Sequence, residues 1–413
     1  MSDRIILHCD ANSFFASVEL LFHPEYKDLP VAVCGSEQER RGIVLAKNPT
    51  AKKYGIETAE TVFSAKKKCP HLIILAPHYD QYVRYSRALN EIYARYTDRI
   101  EPFGIDESWL DVTGSQRLFG SGVDIAERIR HEVKNELGLT VSIGVSFNKV
   151  FAKLGSDYKK PDGITEITRE NIGQIVHPLP VGSLLFIGRH TIDTLEKMGI
   201  KTIGDLANAG TLFLEKKFGK HGITISAYAR GEDDSPVHVP SEQDRAKSIG
   251  SGVTFSHDLI GEDAVRDRLI PLAEEVAAQL RYTNRTCATL SLTIRDEFLR
   301  TISRQIPILP PSDLAKVLVD RAIEIYRLEW SPQKPIRMLT VTAMNLCNAQ
   351  AEQMTIFDEE QHEKRQKRRE LEKTVDEIRG KYGKRSLSYG KTDAAPSVRK
   401  HRRNESEGKL GSK

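Results

Sequence analysis

Ile5–Ile6–Leu7–His8–Cys9–Asp10 and Pro102–Phe103–Gly104–Ile105–Asp106–Glu107–Ser108–Trp109–Leu110–Asp111–Val112 are two short apolar runs that carry carboxylates. Each reads as a mostly buried strand. Carboxylates at the ends of core strands are costly unless something positive binds there. Two divalent cations would balance Asp10, Asp106 and Glu107, and two-metal sites are the usual apparatus of phosphoryl chemistry. If the two strands are neighbours in one sheet, the chain between Asn12 and His78 becomes a separate lobe. Strand alternation sends Asp106 and Glu107 to opposite faces. Both reach one cluster only if Asp106 lies at a turn or strand end, and Gly104 makes a tight turn available.

The 413 residues suffice for roughly two to four domains. Hydrophobic residues at 39% and charged residues at 29% are ordinary for a soluble globular chain. The net charge of +4 is mildly basic, so any strongly basic face is local. Cys9, Cys34, Cys69, Cys287 and Cys347 are scattered, with no CxxC pair, which argues against structural zinc. Free thiols fit a reducing compartment. The N-terminus enters a strand at once, without a signal peptide. No apolar stretch approaches the roughly 18 residues of a membrane span. A cytoplasmic chain with no membrane partner is expected.

Strands are expected at 4–10, 31–34, 42–46, 72–76, 107–112 and 141–146. Helices are expected at 13–22, with Ser13 as N-cap, and at 50–54, 61–68, 79–96 and 123–137. Residues 170–238 read as mostly helical, with Gly-punctuated turns at 185–190 and 198–204. A Pro-, Ser- and charge-rich linker follows at 236–246. Residues 247–346 follow the order βαββαβ, a ferredoxin-like arrangement that should fold independently. Glu363–Tyr382 reads as a helix with Leu371, Val375 and Ile378 on one face. Beyond about Lys391 the chain is polar and basic, as disordered segments are.

Asp–Ala–Asn–Ser–Phe–Phe–Ala–Ser–Val–Glu (10–19) and Ile–Asp–Glu–Ser–Trp–Leu–Asp–Val–Thr (105–113) resemble motifs of the Y-family DNA polymerases, in the branch of the bacterial polymerase IV and Gram-positive UV-damage-repair enzymes. Further matches are residues 142–164, from Ser–Ile–Gly–Val–Ser–Phe–Asn–Lys to Lys–Pro–Asp–Gly–Ile, and Lys–Ser–Ile–Gly (247–250). Four ordered motifs over residues 3–384 make a specific signal. The resemblance implies an α+β, right-hand-like polymerase. Its ferredoxin-like palm would be residues 1–12 and 79–169, its small fingers 13–78, and its helix-hairpin-helix thumb 170–237. A linker (238–246), a βαββαβ little finger (247–348) and a C-terminal tail (349–413) would follow. The implied activity is template-directed DNA synthesis past damaged bases from dNTPs, with low fidelity and no proofreading domain.

The same resemblance assigns residues. Asp10, Asp106, Glu107 and the Ala11 carbonyl would hold two Mg2+ ions. Hard oxygen ligands beside substrate phosphates suit that metal. Phe15 falls at the steric-gate position, where a flat ring crowds a ribose 2′-hydroxyl, with Phe14 packing near the metals and sugar. Lys160 matches the triphosphate lysine, where a point charge faces developing phosphate charge. In the fingers, Asn48–Pro49–Thr50–Ala51–Lys52–Lys53–Tyr54–Gly55 departs from the family pattern: Pro49 replaces a phosphate-binding tyrosine and Lys52 an arginine. Lysine lacks the bidentate fork and proline has no N–H. Leu45 falls over the incoming base. Ile187, Gly188, Arg189 and His190 form the hairpin turn expected to bind DNA phosphate. Ser248 and Gly250 open the little finger, whose Arg295, Arg300, Arg304 and Arg337 are candidate DNA contacts. Gln353, Ile356 and Phe357 resemble a sliding-clamp-binding pentapeptide, two apolar anchors and one polar hook. The implied partners are primer-template DNA, dNTPs and a sliding clamp, for a monomeric enzyme. Two other readings are a catalytically weak DNA-binding repair scaffold and a nucleotidyl cyclase. Intact carboxylates argue against the first, and Phe15 with the DNA-gripping thumb against the second.

Overall fold

The computed structural model describes residues 4–36, 42–239, 246–348, 359–383 and 386–387, and divides into two compact units, residues 1–245 and 246–413. The first unit opens with β1 (Ile6–Ala11) and α1 (Phe14–Phe22). A small lobe follows: β2 (Val31–Cys34), β3 (Val44–Lys47), α2 (Pro49–Lys53), α3 (Val62–Lys68) and β4 (Ile73–Leu75). Its three strands form their own sheet, ordered β3-β2-β4. Then come α4 (Tyr79–Tyr93), β5 (Ile100–Pro102), β6 (Glu107–Asp111), α5 (Gln116–Phe119), α6 (Gly122–Glu132), β7 (Val141–Ser146), α7 (Lys149–Tyr158) and β8 (Ile164–Ile167). The five-stranded sheet β5-β6-β1-β7-β8 places β1 at its centre, between β6 and β7. The strands at 4–10 and 107–112 are therefore neighbours, and the lobe between them is an insertion.

The central sheet is covered by α4 and α6, whose Tyr82, Leu89, Ile92, Ile125 and Ile129 pack in one buried cluster with Leu7, Cys9, Leu110 and Val141. Helix α7 lies against β7 at unusually close range. A Cβ on Gly144 would fall 1.8 Å from the Ala152 carbonyl oxygen. Glycine is the only residue that admits this approach, and it seats the α7 lysines beside the carboxylates. Five helices follow, α8 (Ile172–Ile175), α9 (Arg189–Lys197), α10 (Ile203–Asn208), α11 (Thr211–Phe218) and α12 (Lys220–Ala229). Their core includes Val150, Phe151 and Leu154 of α7.

The second unit runs β9 (Ser248–Leu259), α13 (Glu262–Tyr282), β10 (Arg285–Arg295), β11 (Thr301–Ser312), α14 (Ala315–Glu329), β12 (Ile336–Asn348) and α15 (Glu359–Tyr382). The expected βαββαβ order is present, as one antiparallel sheet ordered β11-β10-β12-β9 backed by α13 and α14.

Several local expectations need correction. Ser13 precedes α1, but it has φ 48° and its side chain makes no cap bond. The helix expected through 96 stops at Tyr93, and the one expected over 123–137 ends in a π-helical turn at Val133–Leu137. On α15, Val375 is buried but Leu371 is exposed. The inward face is instead Glu372, Val375, Asp376 and Arg379, whose acids pair with Arg281 of α13 at 2.6 and 2.7 Å. Those ion pairs rotate the helix about one residue from the apolar stripe. Gln353, Ile356 and Phe357 lie outside the described residues. Among the described residues, no helix is long and apolar enough to cross a membrane.

Candidate active site

Asp10 and Glu107 are cross-strand partners in the β1–β6 register. Asp106 stands immediately before β6, where its carbonyl accepts the Ala11 N–H at 2.9 Å. Phe103 and Gly104 N–H groups both point to the Glu107 carbonyl, closing a turn between β5 and β6. Asp106 thus sits on a turn, so alternation no longer separates it from Glu107. All three acidic residues are only partly exposed.

Their charges are unequal in consequence. Burial, then the neighbouring Asp10 and Glu107, push the Asp106 carboxyl up to about 6. Burial likewise raises Asp10, against the pull of Lys160, whose Nζ lies 2.7 Å from Asp10 Oδ2. Burial opposes ionisation of Glu107 too, but hydrogen bonds from His8 and Lys153 outweigh it and hold the group at about 2. Among the described residues, no three His, Cys, Asp or Glu side chains close on a single ion position. The lysines draw Asp10 and Glu107 toward α7 and the following loop. The donor chemistry nevertheless fits a divalent cation: three carboxylates gather at one edge of the neighbouring strands β1 and β6, and burial, then the charged neighbours Asp10 and Glu107, already oppose ionisation of Asp106.

The residues beneath the carboxylates are tightly specified. His8 is fully buried, with Nδ1 2.8 Å from Ser156 Oγ and Nε2 3.4 Å from Glu107 Oε2. Asn12 Oδ1 accepts the Asp162 N–H at 2.8 Å, and Asn12 Nδ2 donates to Ser142 Oγ at 2.8 Å. This fastens the loop that carries Lys160 to the end of β1. Lys149 donates both short bonds to Glu101 (2.7 Å) and lies over the Trp109 ring. Lys149 is therefore committed to that pair, while Lys153 contacts Glu107 directly.

Phe14 is buried in the core, and Phe15 is part-buried with its ring stacked on Tyr82 at 4.0 Å. In the small lobe, Asn48 caps α2: it accepts from Ala51 N and Val31 N and donates to the Leu29 carbonyl. Pro49 occupies the first helical position, where its missing N–H costs nothing. Leu45 falls at an irregularity in the β2–β3 register, between Cys34↔Val44 and Val33↔Ala46. Such bulges re-aim a side chain. Lys52 is exposed, and a second cation stands near it. Burial and then Lys52 itself hold Lys47 below the ordinary lysine range.

Gly188 occupies the N-cap position of α9, with Ile187 buried beneath and Arg189 and His190 exposed at the helix start. Ser248 and Gly250 lie on the exposed face of β9, opposite buried Ile249. Arg304 and Arg337 are committed to Glu329 and Asp258 within their own unit, and Arg295 donates to Thr301 on the same hairpin. The sequence reading missed His8, Glu19, Lys47 and Tyr82. Glu19 alone carried a signal, as an acid inside an apolar helix.

The sequence model of the impB/mucB/samB family matches residues 9–157, and that of the family's C-terminal domain matches residues 246–356. The chain is 44% identical to a DNA polymerase IV of Acetivibrio thermocellus over 94% of this chain and 97% of that protein. It is 37% identical to a DNA polymerase IV of Clostridium acetobutylicum over 92% and 96%. Among solved structures, a Y-family DNA polymerase chimera, Dbh-Dpo4(243-245)-Dbh, has a TM-score of 0.74 at 24% identity, covering 83% of this chain and 99% of that one. That likeness bears on the fold.

Proposed function

Since this chain belongs to the impB/mucB/samB family, as a DNA-directed DNA polymerase of the Y-family polymerase IV type, we propose that it copies damaged templates at low fidelity by two-metal transfer of nucleotides from dNTPs to a primer 3′-hydroxyl. The observation that carries the mechanism is the pairing of Asp10 with Glu107 across β1 and β6, with Asp106 on the adjoining turn. Residues 1–12 and 79–169 act as palm, 13–78 as fingers, 170–237 as thumb and 247–348 as little finger. Asp10, Asp106, Glu107 and the Ala11 carbonyl would hold two Mg2+ ions. Metal held there would supply Lewis-acid chemistry, lowering the pKa of the attacking hydroxyl and offsetting charge on the triphosphate.

The chain's own residues do the rest. Lys160 releases Asp10 and takes up phosphate charge, held in place by the Asn12–Asp162 bond. Lys153 holds Glu107 ionised and oriented. Lys52, with Lys47 near it, supplies positive charge where Pro49 offers no donor. Phe15 closes the floor beneath the sugar, with Phe14 locked in the core behind it, and Leu45 covers the incoming base. In the first unit, the α9 N-terminus at Gly188, Arg189 and His190 holds primer-template DNA by its backbone; in the second, Ser248 and Gly250 of β9 do the same, and backbone contacts give affinity without sequence preference. Gln353, Ile356 and Phe357 tether the enzyme to a sliding clamp.

Primer extension on undamaged and abasic templates, with Mg2+ and dNTPs, tests this reading. The wild-type chain should extend both, and Asp106→Ala should lose activity by at least roughly a thousandfold. No extension by the wild type at any dNTP concentration would leave a DNA-binding scaffold instead. A clamp-supplemented arm reports the tether: Ile356→Ala with Phe357→Ala should remove clamp stimulation, and stimulation equal to wild type would refute it.

A further inference from the structure

Glu19 is the acid that the catalytic reading leaves without a role. It lies on α1 with a side chain only 2% exposed. A carboxylate so buried is tolerated only when its oxygens are fully engaged. Here the Tyr82 hydroxyl donates to Oε1. The backbone N–H of His78 donates to the same oxygen at 3.1 Å and reaches the Tyr82 hydroxyl at 3.2 Å. His78 Nδ1 lies 3.1 and 3.0 Å from the two carboxylate oxygens. These contacts join α1 to the first turn of α4, since His78 precedes α4 and Tyr82 lies within it.

What they fix is a ring. Tyr82 stacks on Phe15 with centroids 4.0 Å apart and planes 9° from parallel. Tyr79 closes on the same phenyl group edge-on at 5.8 Å. Phe15 and Glu19 are four residues apart on α1, and so share a face. The hydroxyl anchor and the ring stack are two ends of one tyrosine. A barrier that excludes a single hydroxyl group works by contact. It fails if the ring can yield by about an ångström, as positioning errors of that size are costly at reacting sites.

We propose that Glu19 is the positioning residue of the sugar gate: through the Tyr82 hydroxyl and the His78 amide it immobilises the ring on which Phe15 rests, and so sets discrimination against ribonucleotides. The inference rests on the reading of Phe15 as the gate. Single-nucleotide insertion of dCTP and CTP opposite dG, compared as kcat/KM, tests both. Phe15→Ala should collapse the dCTP-to-CTP ratio. Glu19→Ala and Tyr82→Phe should lower it by roughly tenfold, chiefly through a lower KM for CTP. Glu19→Gln keeps an acceptor for the tyrosine hydroxyl and should retain most of the ratio. If Glu19 were merely structural, insertion of both nucleotides would fall in parallel and the ratio would stand, which overturns the proposal. Tyr82→Phe keeps the ring and removes only its hydroxyl, so it decides the matter even if Glu19→Ala does not fold. An unchanged ratio in Phe15→Ala overturns the gate and this inference together. A change confined to Phe15→Ala overturns the inference alone.

Discussion

Asp106 stands where lost solvent and two like charges all oppose its ionisation, and its carboxyl is raised from 3.8 to about 6. A raised folded-state value means that the fold favours the protonated acid. That contribution is complete below about pH 4 and is lost as pH rises through about 6. Asp106→Asn should therefore stabilise the chain in metal-free buffer at pH 8, by about 2–3 kcal/mol at about 1.4 kcal/mol per pH unit. The gain should disappear below pH 4. Added Mg2+ should raise the wild-type Tm more than that of the variant. Melting curves at pH 4 and pH 8 check this, and an equal Asn effect at both would show that Asp106 is not electrostatically loaded. That Asp10, Asp106 and Glu107 come together was legible because carboxylates at the edges of apolar runs are conspicuous. Glu19 was conspicuous as an acid inside an apolar helix, but its partner Tyr82 is 63 residues away and only the fold joins them. His8 and Lys47 carried no signal, since their meaning comes from what packs beside them.

Elements written as apolar runs were read nearly to the residue, as at Val141–Ser146, because hydrophobic pattern dictates burial. Helix α15 shows where pattern fails. Its stripe of Leu371, Val375 and Ile378 pointed to apolar docking, whereas ionic contacts set its rotation. Arg281 and Glu372 are 5% and 6% exposed, and Glu372 also accepts the N–H of Ala315 at the start of α14. Charged residues look like surface in a sequence, and only their pairing makes them interior. Burial raises the Glu372 carboxyl against its partners, so the arrangement depends on all of them together. Glu372→Ala would leave the Arg281 guanidinium buried against fewer acids, a loss of about 3 kcal/mol. Undocking α15 is the least costly response. Hydrogen exchange across residues 359–382 should accelerate by on the order of a hundredfold, with the sheet amides unchanged. Unchanged α15 exchange would show that the ion pair does not hold the helix.

Across the whole chain, two units have separate hydrophobic cores. The core of the second unit, from Ile249 to Ala343, is a cluster confined to that unit. The first unit is built around its central sheet, with satellite clusters in the small lobe and the helical segment. The change from strand–helix alternation to a self-contained βαββαβ order made this division legible at the linker. The small lobe was legible only as an insertion, because two strands far apart in sequence had to be neighbours first. Compact units that share no hydrophobic cluster should melt separately. Calorimetry should resolve two transitions, and two substitutions can assign them. Ile129→Ala removes a fully buried side chain from the first unit and Leu269→Ala one from the second, each costing about 2–5 kcal/mol. Each should lower one transition and leave the other in place. A common shift of both would mean that the chain unfolds as one cooperative block. In that case a mutation that weakens the second unit would also loosen the carboxylate sheet of the first, and the effects of the two units on DNA synthesis could not be separated.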